Sequence, residues 1–247
     1  GEGGAGEMKI LLIGHGRMGR LIEQTALAAG DSLGGVIDIG NLSDLETIGR
    51  VADVAIDFSA PAALPAVAHY VRSTGTPLLS GVTGLNEAEL AVFDDLGRFA
   101  PVIHSANYSL GVAVFRRALE DVAGTLADFD IEIVETHHNQ KADAPSGTAK
   151  LLLDAVDPHH KRTPVYGRHG ITGPREKKEI GMHSLRGGTE AGTHTVSFFG
   201  PDEVFGITHR AASRQIFVNG ALHAARKLYL LPKGRYELQE LLFGGKK

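Results

Sequence analysis

The run MKILLIG (8–14) is apolar apart from one lysine. It leads through GHGRMG into RMGRLIEQTALAAG (17–30), whose apolar residues recur at helical spacing and which ends on Gly30. A strand with no wet side has to be covered on both faces, and parallel sheets flanked by helices are where such strands occur. The rhythm continues along the chain. LGGVIDI (33–39), VADVAIDFS (51–59), TPLLSGVTG (76–84) and APVIHSAN (100–107) read as strands. PAALPAVAHYVRSTG (61–75), with Pro61 in its first turn, and NEAELAVFDDLGRF (86–99) read as helices. Strands alternating with helices of this length predict a parallel sheet wound by right-handed crossovers, an α/β fold of the Rossmann type.

Beyond residue 107 the rhythm changes. A helix is expected over 109–126, followed by FDIEIVETH (129–137), EIGMHSLRG (179–187), THTVSFFG (193–200) and EVFGITHRAA (203–212). The last three alternate in polarity and are joined by short Gly- or Pro-containing links, which predicts an antiparallel or mixed sheet with one wet face. HHKRTPVYGRHGITGPREKK (159–178) reads as a long polar loop, and SRQIFVNGALHAARKLYL (213–230) as a helix that returns to the first domain. The expected division is therefore a dinucleotide-binding domain over 8–108 and 214–247, and a smaller α+β domain with a mixed sheet over 109–213. Residues 1–7, rich in glycine, read as a disordered tail, and the closing GGKK as frayed.

Composition narrows the function. With 247 residues and 43% hydrophobic content the chain can bury a sizeable core. A net charge of −4 and the lack of a basic block argue against a nucleic-acid partner, so an anionic ligand has to meet locally placed cations. The absence of cysteine excludes a disulfide framework and thiolate zinc sites, and fits a reducing cytoplasm. No apolar run reaches the ~18–20 residues that a membrane span needs, and no signal peptide is visible at the start.

GHGRMG supplies Gly14, Gly16 and Gly19 in the order G-x-G-x-x-G between a buried strand and a helix. In that context the first glycine permits the turn, the second admits a pyrophosphate and the third lets helix and strand pack closely. The helix N-terminus offers N–H groups and a partial positive charge to phosphate. Asp38, 19 residues after Gly19, closes the second strand near the ~20-residue offset of a ribose-binding acid. A carboxylate there repels a 2′-phosphate, which favours NADH over NADPH, although Arg17 is within reach of such a phosphate. The remaining strand ends carry Gly81, Val82 and Thr83, then Ala106, Asn107 and Tyr108, placing one crevice along the carboxyl edge of the sheet.

ETHHNQKADAPSGTA (135–149) follows the strand of the second domain. Adjacent strand side chains point to opposite faces, so His137 and His138 make a poor chelate and no metal is expected. Lys141 follows, and Ser146, Gly147 and Thr148 open a helix where hydroxyls and amides meet a positive dipole end. Capping alone explains Ser146 to Thr148. With two histidines and a lysine beside them, the stretch reads as a place where an anionic substrate is held and protonated.

The pattern E-x-x-E-T-H-H-x-x-K-x-D-A-P-S-G-T-A resembles the signature of the bacterial dihydrodipicolinate reductase family, which serves diaminopimelate and lysine biosynthesis. The resemblance extends to GHGRMG, IDFSAP, GVTG, ANYSLGV and ITHRAASRQIFVNGA. It implies reduction of 4-hydroxy-tetrahydrodipicolinate to tetrahydrodipicolinate, with loss of water, by NADH or NADPH in the cytoplasm, in a homotetramer built through the second domain. By motif, His137 matches the family's acid/base histidine and Lys141 its proton donor, while His138, Lys141, Ser146, Gly147 and Thr148 would contact the carboxylates of the small dicarboxylate substrate. Gly14, His15, Gly16, Arg17, Met18, Gly19, Asp38, Gly81, Val82, Thr83, Ala106, Asn107 and Tyr108 would hold the cofactor. Arg214 reads equally well as a further substrate contact or as a structural ion pair. Two rivals share the scaffold: a dehydrogenase for an amino acid or sugar, and a non-catalytic nicotinamide sensor. Neither gives a reason for HHNQKADAPSGTA.

Overall fold

The computed structural model describes residues 6–244, so most of the tail expected over 1–7, and residues 245–247, lie outside it. The chain divides into two compact units, one running through Ser109 and resuming at Phe217, the other Leu110–Ile216.

The first unit is built on a parallel sheet. Its strands are β1 (Lys9–Ile13), β2 (Ser32–Ile37), β3 (Val54–Asp57), β4 (Leu78–Ser80), β5 (Pro101–His104) and a late arrival, β11 (Gly234–Tyr236), in the order β11-β5-β4-β3-β1-β2. The helices are α1 (Arg17–Ala28), α2 (Leu64–Thr74), α3 (Glu87–Leu96), α6 (Gln215–Leu228) and α7 (Leu238–Phe243). The period of two along β1 sorts its side chains into two fully buried layers. Ile10 and Leu12 join Ile22 and Ala26 of α1 and Val218 and Ala225 of α6. Leu11 and Ile13 join Val67 and Val71 of α2 and Phe93 and Leu96 of α3. Asp31, buried at the head of β2, accepts from the Met8 amide at 3.0 Å and from Arg226 of α6 at 2.5 Å, which ties the returning helix to the first strand.

The second unit carries a mixed sheet in the order β10-β9-β6-β8-β7. Its strands are β6 (Asp130–His137), β7 (Thr163–Val165), β8 (Glu179–Arg186), β9 (Thr193–Gly200) and β10 (Glu203–Arg210). β6 lies at the centre, parallel to β8 and antiparallel to β9. One face is covered by α4 (Leu110–Ala123) and α5 (Gly147–Val156). There Phe115, Leu119, Leu152 and Val156 close over Ile131, Ile133, Ile180, Val196 and Phe198.

The parallel sheet and the mixed sheet agree with the sequence reading, and four details correct it. The segment expected to be loop over 159–178 contains β7. β11 and α7 were not foreseen. The helix expected over 61–75 begins as a 3-10 turn, Pro61–Ala63, before α2. The strands expected over 51–59, 76–84 and 100–107 are shorter, ending at Asp57, Ser80 and His104, because their small, polar tails turn away as ligand-edge loops.

β1 meets α1 at the glycine loop. Gly14 adopts φ +87°, and a Cβ on Gly19 would stand 2.0 Å from the Gly14 carbonyl oxygen. Helix and strand approach closely because Gly19 lacks a side chain, while bare Gly14 lets the backbone at Phe58 and Ser59 come alongside the loop. Gly19→Ala is therefore expected to destabilise the protein by about 2 kcal/mol or more in urea unfolding, since α1 has to back away from a backbone that cannot yield. A loss under about 0.5 kcal/mol would show that the loop relaxes freely.

Candidate active site

The loop after β1 leaves the start of α1 bare. Gly16 is its N-cap, no side chain caps it, and its first turn holds no acidic residue. A Cβ added at Gly16 would meet nothing within 4 Å, so packing within the protein gives no reason for glycine there. Close approach of a ligand to the backbone does. Beside the loop lies a cavity of about 420 Å³, lined by Gly14, His15, Gly16, Asp38, Leu42, Phe58 and Ser59 among others. An apolar hollow with an anion-binding helix end and a carboxylate on its rim fits the adenosine and phosphate half of a dinucleotide.

The expected cofactor residues separate on inspection. Asp38 is exposed and stands one residue past β2, where its Oδ1 accepts from the Gly40 amide at 2.8 Å. Arg17 is exposed in the first turn of α1. His15 pairs with Glu23 at 2.6 Å, so its ring is held along α1. Met18 packs against the core, and Gly19 serves the helix–strand contact. At the end of β4, Gly81 sits against the Phe58 ring, Val82 is buried and Thr83 is exposed. His104 Nε2 lies 2.7 Å from the Val82 carbonyl oxygen and fixes that loop. Ala106 is exposed and Asn107 half-buried, whereas the Tyr108 ring is buried in the core and its hydroxyl donates to the Ser80 carbonyl at 2.6 Å. Under the edge lies Asp57, buried, accepting from the amide and hydroxyl of Ser59 at 2.9 and 2.5 Å. Burial pushes its carboxyl up to about 6, with the Ser59 bonds only partly offsetting it.

In the second unit the carboxyl end of β6 gathers a dense polar cluster. Glu135 and His137 are two apart on a strand and so share a face. Cross-strand register sets Arg186 of β8 beside His137, and His194 of β9 beside Glu135. The Glu135 side chain has no exposed surface, and both its oxygens are used. Oε2 accepts from His137 Nδ1 at 2.5 Å and from Arg186 at 2.9 Å; Oε1 accepts from Arg186 at 2.8 Å and the Ser146 amide at 3.2 Å. Burial by itself would raise the Glu135 carboxyl, but bonds from Arg186, Ser184 and His137 hold it down at about 2.

The loop after β6 supplies the rest. Lys141 Nζ donates to Asp143 Oδ1 at 2.7 Å and draws that carboxyl below its usual range. The chain passes a cis Ala144–Pro145 bond to Ser146, the N-cap of α5, whose Oγ accepts from the Ala149 amide at 3.1 Å. Ser146 Oγ also meets His194 Nε2 at 3.0 Å. Burial, reinforced by the nearby His137, pushes His194 down to about 4, so it is neutral at pH 7. Gly147 is exposed at the first position of α5, Thr148 is half-buried one residue on, and His138 is half-buried just past the end of β6.

Glu135, His137 and His194 bring ligand-type atoms within 4.8 Å of one another. A cation among them would have to displace Arg186, which already neutralises Glu135 through two hydrogen bonds. The cluster reads as a hydrogen-bonded relay of alternating donors and acceptors.

The structure thus gathers His137, Lys141 and Ser146 in the second unit, and the glycine loop with Asp38 in the first. Sequence reasoning missed Arg186, His194, Asp143 and Asp57. For Glu135 the signal was present: an acid two residues before a histidine in a strand faces the same way. Arg186 and His194 arrive through strand register, which no local pattern reveals. Among the described residues, no helix is long and apolar enough to cross a membrane.

Comparison with known proteins agrees with this geometry. The family model for the dihydrodipicolinate reductase N-terminus matches residues 8–108, and that for the C-terminus matches 111–242. A Staphylococcus aureus protein named 4-hydroxy-tetrahydrodipicolinate reductase is 42% identical over 246 residues, covering 95% of this chain and 100% of its own. A protein of the same name from Caldanaerobacter subterraneus subsp. tengcongensis is 40% identical over 251 residues, covering 96% and 100%. Among solved structures, the dipicolinate-bound dihydrodipicolinate reductase from Paenisporosarcina sp. TG-14 shares the fold, with a TM-score of 0.73 at 21% identity over 96% of this chain and 100% of that one. With both halves matched in order and relatives near 40% identity along almost the whole length, this chain belongs to the dihydrodipicolinate reductase family.

Proposed function

We propose that this protein reduces 4-hydroxy-tetrahydrodipicolinate to tetrahydrodipicolinate, with loss of water, using NADH in preference to NADPH. The observation that carries the reading is the cluster at the end of β6, where His137 and Lys141 stand beside the N-terminus of α5. A dicarboxylate ring needs cationic or dipolar partners for its carboxylates and a proton source for its reduced carbon. Ser146, Gly147 and Thr148 at the positive end of α5, with His138 and Lys141, supply the first. Lys141 supplies the second: the bond to Asp143 orients its ammonium, a group with three donors.

A reduced nicotinamide, when bound, supplies hydride. The chain's residues do the rest. The bare α1 terminus and Gly16 receive the phosphates, and the exposed Asp38 accepts from ribose hydroxyls while repelling a 2′-phosphate. Arg17, exposed in the first turn of α1, is a charge that favours the phosphate form. His137 orients or relays the proton that Lys141 delivers.

The open face of the second sheet supports self-association as part of this reading. Val134, Phe199 and Val204, all on that face, are 37%, 43% and 59% exposed. Phe199 and Val204 are cross-strand partners there while Val134 lies further along β6, and exposed apolar side chains on one open face support contact with another copy, as in a homotetramer. A cysteine-free, nicotinamide-linked reductase fits the cytoplasm.

The direct test follows absorbance at 340 nm with NADH and NADPH in turn, the substrate being generated from pyruvate and aspartate semialdehyde by the preceding synthase. Turnover dependent on the synthase, faster with NADH, is expected; oxidation of neither cofactor refutes the reading. Lys141→Ala is expected to slow turnover by roughly 10²–10⁴-fold while leaving NADH affinity unchanged, as removal of a general acid does. Wild-type rates in that variant would remove Lys141 from the chemistry.

The buried groups also set a pH dependence of stability. His194 is held near 4, below its ordinary 6.5, so the unfolded chain takes up its proton first and stability falls as pH drops from about 6.5 to 4. Glu135, held near 2 against an ordinary 4.5, contributes fully above 4.5 and loses its contribution below that. Asp57, raised to about 6 from 3.8, has the opposite sign and gains stability on acidification across that window. Between pH 8 and pH 5 the His194 contribution alone amounts to a loss of about 2 kcal/mol, partly offset by Asp57. His194→Gln is expected to remove it, so that the pH 8 to pH 5 change in stability differs between variant and wild type by about that amount in urea unfolding. An identical pH response in both proteins would mean that His194 is not held neutral.

A further inference from the structure

Glu135 is absent from the proton-delivery scheme above, yet it is the most buried charge in the site. Its neighbours come from four places: His137 on its own strand, Arg186 on β8, His194 opposite it on β9, and the loop that bears Lys141 and Asp143. Arg186 grips both carboxylate oxygens and also donates to the Asp143 carbonyl at 2.7 Å. Glu135 in turn accepts from the Ser146 amide. One ion pair therefore holds the Lys141 loop at two points, Asp143 and Ser146, and holds the His137 ring at a third.

The chemistry of the bond to His137 is directional. An ionised carboxylate only accepts, so His137 Nδ1 has to carry the hydrogen. In neutral imidazole the other nitrogen, Nε2, is then the proton acceptor. Nε2 lies beside Gly192, where an added Cβ would stand 3.0 Å away, and glycine keeps a side chain off that edge of the ring.

We propose that Glu135, clamped by Arg186, is a positioning residue that locks His137 in the Nδ1–H tautomer, presents Nε2 for proton exchange, and registers the Lys141 loop against it. The proposal rests on the reductase reading for its kinetic consequences and stands apart from it in its tautomer. Glu135→Gln separates the two. In that variant the amide oxygen is required by the Ser146 N–H and one Arg186 nitrogen, donors that cannot change role, and the second Arg186 bond, to the oxygen beside His137, is lost. The amide NH₂ then faces His137 Nδ1 and imposes the Nε2–H tautomer.

The test combines ¹⁵N NMR of the histidine ring nitrogens in the full chain with steady-state kinetics, His137→Asn assigning the resonance. The wild type is expected to show Nδ1–H and Glu135→Gln to show Nε2–H. The kcat of the variant is expected to fall about 100-fold, with KM for NADH and for the dicarboxylate changed less than about threefold. Glu135→Asp, which keeps the charge, is expected to recover at least about tenfold of that loss. A wild-type Nε2–H tautomer overturns the proposal, as does a kcat within about threefold of wild type in Glu135→Gln. So does a fall in kcat with the tautomer unchanged, which would mark Glu135 as merely structural. Should Glu135→Gln not fold, the wild-type tautomer and the kcat of Glu135→Asp decide: Nδ1–H with reduced but measurable turnover supports the proposal, and Nε2–H overturns it. A wild type without turnover would defeat the reductase reading, and the tautomer pair alone would then judge Glu135.

Discussion

The carboxylate of Glu135 sits where no water reaches it, and a charge in that position is tolerated only when it is paired and fully hydrogen-bonded. Satisfying it takes a guanidinium from β8, an imidazole from β6 and the amide that begins α5. Those three partners can meet only if β6 pairs with β8 in the observed register, and only if the loop after β6 turns back to start a helix over the sheet. The arrangement of the second unit and the arrangement of its site are thus one constraint seen from two sides. Lys141, Asp143 and Ser146 fall into place as parts of the loop that the pair retains.

The first unit solves a different problem. Its central strands are buried on both faces, so polar side chains are confined to their ends, and each is released into a loop as its apolar run stops. The glycine loop, Asp38, the turn at Ser59 and the loops carrying Val82 and Asn107 all lie along the carboxyl edge. Asp57 is the exception that marks the boundary, a carboxyl still inside the sheet and raised to about 6 by burial. Its bonds to Ser59 shape the turn that borders the cavity.

Much of this was legible in the chain. Alternating apolar strands and helices named the parallel sheet, and G-x-G-x-x-G after the first of them named the tight turn at its carboxyl edge. The stretch from Glu135 to Ala149 showed a dense run of polar side chains near a helix start. Three-residue strands such as β7 and β11 were invisible because periodicity needs more residues than they possess. Strand ends were overestimated where the residues that follow the apolar run, as at Phe58–Ser59 and Gly81–Val82, turn off into a loop.

The sequence by itself determined which segments are buried, which residues a strand or helix places on a common face, and which motif the family shares. These are properties of local periodicity and of residue chemistry, and each is written within a dozen or so neighbouring positions. Only the tertiary structure decided that Arg186 and His194 flank Glu135, that Lys141 is paired with Asp143, and that His15, Met18 and Tyr108 spend their side chains on the fold. Hydrogen-bond partners from separate strands depend on sheet order and register, which the whole hydrophobic core selects at once, so no local stretch can state them in advance.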